Sequence, residues 1–277
     1  MTSRNTNFIL QRTGTRDNVT ANMNTLPLAA MQGGPPSYVP LALRGRAAMT
    51  TASVPLSTAL RATVDGLKHE VAALHRELTR HGLVIWTAGN VSARVPGADL
   101  MVIKPSGVSY DDLTPDAMVV TDLHGRLVEG DHAPSSDTAA SAYVYRHMPE
   151  VGGVVHTHST YACAWAARRE PIPCVLTMTA DAFGGDVPLG PFALIGDDSI
   201  GRGIVETLRG SRSRAVIMAG HGPFTIGRDA RDAVKAAVML EDVARTTHIA
   251  KQLGMPVSID QDDVDALFDR YQNVYGQ

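Results

Sequence analysis

Two apolar runs that each lead into histidine constrain the fold of this chain most tightly. Val154-Val155-His156-Thr157-His158 sets two imidazoles one residue apart after a β-branched run, and Ala215-Val216-Ile217-Met218 leads shortly to His221. In a strand, residues i and i+2 project to one face and the chain rises about 3.3 Å per residue. The rings of His156 and His158 can therefore converge on one divalent ion at roughly 2.0–2.1 Å. His221 can complete such a site only if the two runs are strands whose ends meet. The plainer alternative is three ordinary core or surface histidines.

The rest of the pattern places these runs among mixed elements. Leu60, Val64, Leu67, Val71, Leu74 and Leu78 recur at helical spacing and predict an amphipathic helix ending at Gly82. Short β-rich runs follow at Leu83–Trp86, Leu100–Ile103, Met118–Thr121 and Arg126–Val128, with His124-Gly125 as a hairpin turn. Helices are expected from Ser136 or Asp137 to His147, over Thr160–Arg169 and Ser199–Leu208, from Asp229 to about Leu253, and over Asp262–Tyr271. Gly153–His156, Val175–Thr179 and Ala215–Met218 read as extended, and Trp86 and Trp165 as core residues. Strands and helices without regular βαβ alternation point to an α/β protein in which a sheet with antiparallel pairs is covered by helices.

Composition excludes several classes of function. A chain of 277 residues with a net charge of -3 and no Lys/Arg-rich run gives nucleic acid no electrostatic footing, and no apolar stretch is long enough to span a membrane. Cys163 and Cys174, without CxxC spacing, fit reduced thiols in the cytoplasm. Residues 1–55 carry Arg4, Arg12, Arg16, Arg44 and Arg46 against the single acid Asp17 and show no periodicity. They read as a disordered tail or a mis-chosen start upstream of Met49, with an organelle transit peptide as the alternative. Residues 56–277 then form one catalytic domain.

Three polar loops invite an anion. Thr87-Ala88-Gly89-Asn90-Val91-Ser92, Lys104-Pro105-Ser106-Gly107 and Pro134-Ser135-Ser136-Asp137 offer amides, hydroxyls and an ammonium. Glycine permits close approach, and a helix opening near Ser136 aims its positive end at negative charge. Asp137 could equally cap that helix.

Taken in order, these loops with Val-Val-His-Thr-His-Ser, His-Gly-Pro-Phe and a terminal Tyr-Gly-Gln resemble the class II aldolase/adducin superfamily over roughly residues 57–277, and within it the L-ribulose-5-phosphate 4-epimerases. The resemblance implies a layered α/β/α fold with a central mixed, largely antiparallel sheet covered by helices, and one Zn2+ per chain, or Mn2+ or Co2+, held by Asp137, His156, His158 and His221. It implies a small phosphorylated sugar held by Gly89, Asn90, Ser106, Gly107, Ser135 and Ser136, with Lys104 neutralising charge nearby. Asp181 and Tyr275 correspond to an acid/base pair, the tyrosine contributed by a neighbouring subunit of a homo-tetramer with sites between subunits. The implied reaction is C4 epimerisation of L-ribulose 5-phosphate to D-xylulose 5-phosphate, as in arabinose catabolism. It breaks and remakes the C3–C4 bond, with the metal as Lewis acid. The alternative is a fuculose-phosphate type aldolase, in which the fragments separate; there a glutamate is usual at the position of Asp137 and no aspartate like Asp181 is expected, so the two aspartates favour the epimerase. The stretch Asp269–Asn273 departs from the epimerases, placing Tyr271 nearest to a position where they carry a histidine.

Overall fold

The structure, a computed structural model, describes residues 56–274; residues 1–55 and 275–277, Tyr275 among them, lie outside. Helix α1 (Thr58–Arg80) opens at Ser57, whose hydroxyl accepts the Leu60 N–H at 3.3 Å, and buries Val64, Val71, Leu74 and Leu78. Just beyond it Gly82 takes φ +64, a left-handed conformation that glycine adopts without strain.

Among the described residues eight strands make one sheet: β1 (Asn90–Arg94), β2 (Leu100–Ile103), β3 (Val119–Asp122), β4 (Leu127–Glu129), β5 (Gly153–His156), β6 (Leu189–Gly190), β7 (Ala215–Met218) and β8 (Gly222–Gly227). Their order across the sheet is β4-β3-β2-β1-β5-β8-β7-β6, and every neighbouring pair is antiparallel except β6 with β7. The remaining helices are α2 (Thr138–His147), α3 (Thr160–Arg168), α4 (Thr177–Phe183), α5 (Ser199–Leu208), α6 (Ala230–Leu253) and α7 (Gln261–Asn273).

Strand periodicity divides the core into layers. Val155, Val91 and Val102 pack with Val64, Leu78 and Val234 of α1 and α6. Their neighbours Val154 and Met101 face the other way, onto Val144 and Tyr145 of α2 and Ile204 of α5. Trp165, Phe183, Ile217 and Leu240 form a third cluster among α3, α4, β7 and α6. Full burial of a side chain of this kind contributes about 1.5–3 kcal/mol relative to exposure. The result is an α/β/α layered fold around a mixed, largely antiparallel sheet. No helix among the described residues is long and apolar enough to cross a membrane.

Two features position the site. Register sets Asn90 of β1 opposite His156 of β5, and His156 opposite Phe224 of β8, so three neighbouring strands end together. The first turn of α6 rests directly on β5: a Cβ at Gly153 would meet the Asp229 carbonyl oxygen at 2.3 Å and the Ala230 Cα at 2.5 Å.

Three expectations need correction, and strands β1 and β8 escape the sequence. Leu83–Trp86 is not a strand, and Trp86 is not core: it takes φ +56 and is 84% exposed, because the chain turns there to enter β1. The strand lies later, in β1, which its polar residues disguise; Ser92 is satisfied inside the protein by the Tyr145 hydroxyl at 2.9 Å. Val175–Thr179 is not extended but leads into α4, which packs on α7, so tertiary contact overrides local β preference. Strand β8, continuing from His221, carries a Gly-Pro pair that masks it in the sequence.

Candidate metal centre and anion cavity

His156 is the last residue of β5, and His158 lies just past the strand end, yet the spacing still brings the rings together. Their Nε2 atoms stand 2.9 Å apart. His221 arrives on the tight β7–β8 connection, where Gly220 takes φ +66 and the His221 N–H donates to the Met218 carbonyl at 3.0 Å. The candidate ligand atoms of the three histidines all lie within 4.8 Å of one another.

The hydrogen bonding of His156 fixes its tautomer. Its Nδ1 is 2.9 Å from the Pro223 carbonyl oxygen, which can only accept, so Nδ1 carries the proton and Nε2 presents a lone pair. The ring is buried and stacks on Phe224 with centroids 4.1 Å apart. Burial, and then neighbouring His158, push its pKa down to about 3, while the Pro223 bond opposes this. Burial and His156 likewise push His221 down to about 4, against the pull of Asp137. Both rings are thus neutral near pH 7, the form that binds a metal.

Asp137 stands at the N-cap position of α2, but its side chain makes no capping hydrogen bond. Oδ2 accepts from Asn90 Nδ2 at 2.8 Å; among the described residues Oδ1 is buried with no hydrogen-bond partner, as is Asn90 Oδ1. Burial raises the Asp137 pKa, opposed by His221, Asn90 and His158. A buried carboxylate oxygen without a donor, beside lone pairs from neutral imidazoles, is a donor set short of a cation. These residues fit a divalent ion. The tight cluster consists of the three histidines, with Asp137 beside it.

One cavity of about 240 Å³ contains this centre. Its wall includes Asp137, His156, His158 and His221, together with Gly89, Lys104, Ser106, Gly107, Ser135 and Ser136. Asn90 sits behind the wall, donating to Ser135 Oγ at 3.2 Å as well as to Asp137. Lys104 is 2% exposed; its ammonium donates to the carbonyls of Thr87 and Pro105 at 3.3 and 3.2 Å, and burial lowers its pKa. Thr87, Ala88, Pro105 and Ile195 also line the cavity. Ile195 lies in an exposed apolar stretch, Phe192, Leu194 and Ile195, that no spacing rule picks out.

Asp181 is on α4 and is not among the residues lining this cavity; its Oδ1 is buried without a partner among the described residues. Tyr275 lies outside the described residues.

A family model described as Class II Aldolase and Adducin N-terminal domain matches residues 69–248. Among solved structures, an L-fuculose 1-phosphate aldolase shares 28% identity at a TM-score of 0.71, covering 75% of this chain and 96% of its own. YgbL of Klebsiella pneumoniae, described as a candidate aldolase/epimerase/decarboxylase, shares 28% identity at a TM-score of 0.65 over 74% of this chain and 99% of its own. An L-fuculose 1-phosphate aldolase from Glaciozyma antarctica PI12 has the same fold at 21% identity and a TM-score of 0.66, covering 78% of this chain and 85% of its own.

Proposed function

The chain belongs to the class II aldolase and adducin N-terminal domain family, and from that premise we propose that it is a divalent-metal-dependent sugar-phosphate aldolase. It cleaves a ketose 1-phosphate between C3 and C4 into dihydroxyacetone phosphate and an aldehyde. The observation that carries this reading is the sharing of one cavity by three clustered histidines and a buried lysine among Ser-Gly turns. The likeness to a fuculose-phosphate aldolase favours cleavage over epimerisation.

His156, His158 and His221, with Asp137 beside them, would hold the ion. When bound, it supplies Lewis-acid polarisation of the substrate carbonyl. The chain's own residues do the remainder. The Pro223 carbonyl keeps the His156 lone pair aimed into the cavity. Lys104 brings a positive charge without a carboxylate partner among the described residues, and Ser106, Ser135 and Ser136 bring hydroxyls, a set that suits a phosphate. Cleavage removes the proton of the C4 hydroxyl as the C3–C4 electron pair moves toward the carbonyl, and C3 is then protonated. The resemblance to epimerases assigns the C4 proton to Asp181 and Tyr275; an aspartate at position 181 is not expected of the fuculose-phosphate type. Because Asp181 does not line the cavity of its own chain, this assignment requires a neighbouring copy, as in the homo-tetramer that the resemblance implies.

The epimerase reading shares the bond cleavage and differs in whether the aldehyde leaves or is attacked again on its other face. Metal-loaded protein incubated with L-fuculose 1-phosphate and, separately, L-ribulose 5-phosphate separates the two. We expect released dihydroxyacetone phosphate from the first; xylulose 5-phosphate from the second, without free aldehyde, would select epimerisation. About one ion per chain should be found, and chelation should abolish turnover. Full activity after verified removal of the metal would end this reading.

A further inference from the structure

Tyr110 takes no part in the centre described above and does not line the cavity. Its hydroxyl nevertheless donates to two successive carbonyls of the cavity wall, Ala88 at 2.9 Å and Gly89 at 3.2 Å. Its ring lies 5.4 Å from the Lys104 ammonium, which holds the preceding carbonyl, that of Thr87, at 3.3 Å. Burial pushes the phenol pKa up, so the hydroxyl remains a donor at neutral pH. Three consecutive carbonyls of a loop lining an anion cavity are therefore turned toward one tyrosine–lysine pair.

That orientation has an electrostatic consequence. In a planar trans peptide the C=O and the following N–H point in opposite directions. Binding the Ala88 carbonyl on the Tyr110 side directs the Gly89 N–H the other way. The Ala88 N–H is already used by the Ile85 carbonyl at 3.0 Å. The loop is held in a special conformation: Gly89 takes φ +81, and a Cβ there would meet the His156 carbonyl oxygen at 2.8 Å. A carbonyl oxygen facing the cavity would repel an anion, whereas an amide N–H attracts one.

We propose that Tyr110 is a positioning residue for anion binding, holding the Ala88 and Gly89 carbonyls on its own side so that the Gly89 amide faces a phosphoryl group in the cavity. The role rests on the sugar-phosphate reading above and adds a determinant of phosphate affinity to it. The hydroxyl acts through the loop, not through the ion or the reacting bond.

The test is Tyr110→Phe in the metal-loaded full-length protein, since phenylalanine keeps the ring beside Lys104 and removes only the donor. Inorganic phosphate is titrated calorimetrically into wild type and variant, and KM and kcat are measured with L-fuculose 1-phosphate. Phosphate affinity should weaken about tenfold and KM rise to match, with metal content and kcat within twofold of wild type. Equal phosphate affinity in the two proteins would overturn the role of Tyr110 and leave the proposed function standing. A wild type that binds no phosphate would overturn both. A parallel fall in metal content and kcat would show general loosening of the site and also overturn the role. Tyr110→Leu, which removes ring and hydroxyl together, should lose at least as much phosphate affinity as Tyr110→Phe; retained affinity there would count against the proposal.

Discussion

Asp137 keeps one carboxylate oxygen buried and unpartnered while the other rests on Asn90. Burial of a half-satisfied carboxylate destabilises the metal-free protein, and only a cation or a proton relieves it. Replacing Asp137 by alanine should therefore separate two quantities that a simple capping residue would move together. We expect metal affinity to fall at least about tenfold, the low end of what even outer partners of a bound metal contribute. The melting temperature of the metal-free protein should stay level or rise. If instead the metal-free variant melts earlier and binds metal normally, Asp137 belongs to α2 and not to the centre. This centre was the most legible part of the sequence, because the separation of His156 from His158 is a local distance that survives even though β5 ends at His156. Tyr110 and Ile195 left no such mark. The first acts through a hydroxyl on carbonyls more than twenty positions away, and the second enters the cavity from an irregular apolar loop.

At the scale of elements, the loop that carries His158 is tied down from behind. Glu241, buried in α6, accepts the backbone N–H groups of Tyr161 at 2.8 Å and Ala162 at 2.9 Å, in the first turn of α3. A carboxylate there satisfies two otherwise unpaired donors and meets the positive end of the helix. Glu241→Ala should cost about 1–3 kcal/mol, read as a lower melting temperature, and should weaken metal binding by letting His158 move. Glu241→Gln, which keeps one acceptor oxygen, should recover part of both. Unchanged metal affinity in the alanine variant would mean that α3 and the His158 loop move independently. A second consequence concerns α6 and β5: Gly153→Ala should cost on the order of 1–3 kcal/mol or more by forcing the first turn of α6 off the strand. Thermal melting checks it, and a variant as stable as wild type would show that this contact is looser than its geometry. Helices α1, α5 and α6 were readable because each repeats its apolar residues at helical spacing, with Asp229 capping α6 by accepting the Asp232 N–H at 2.8 Å. β1 was not, because Asn90, Ser92 and Arg94 find partners inside the protein, on Ser135 and Asp137, on Tyr145, and on the Val151 carbonyl. A strand buried on both faces whose polar residues are satisfied within the protein looks like a loop until the partners are known.

For the molecule as a whole, the junction of α1 with the sheet makes stability depend on acid. His75 is fully buried; its Nδ1 donates to the Val71 carbonyl at 2.7 Å and its Nε2 accepts the Val91 N–H at 2.9 Å, so only the neutral ring satisfies both. Burial first pushes its pKa down to about 3; the Val71 carbonyl opposes this, and the Lys104 ammonium adds to it. The ring of Tyr110, 5.9 Å away, also faces it. With a folded value below the unfolded 6.5, the unfolded chain binds the extra proton between those limits. The contribution of His75 is thus complete above about pH 6.5 and is lost as pH falls toward 3. One proton taken up on unfolding gives a slope of about 1.4 kcal/mol per pH unit at most. His156 and His221 titrate low as well, so the wild-type curve is a composite. The informative quantity is the difference from His75→Gln, whose amide oxygen can still accept the Val91 N–H but cannot take up a proton. Unfolding free energies from urea titrations at several pH values should fall more steeply in wild type than in this variant across the window, and run parallel above it. Parallel curves throughout would mean that His75 opens to solvent before the sheet unfolds, making the α1–β1 junction the first contact to yield rather than part of the cooperative core.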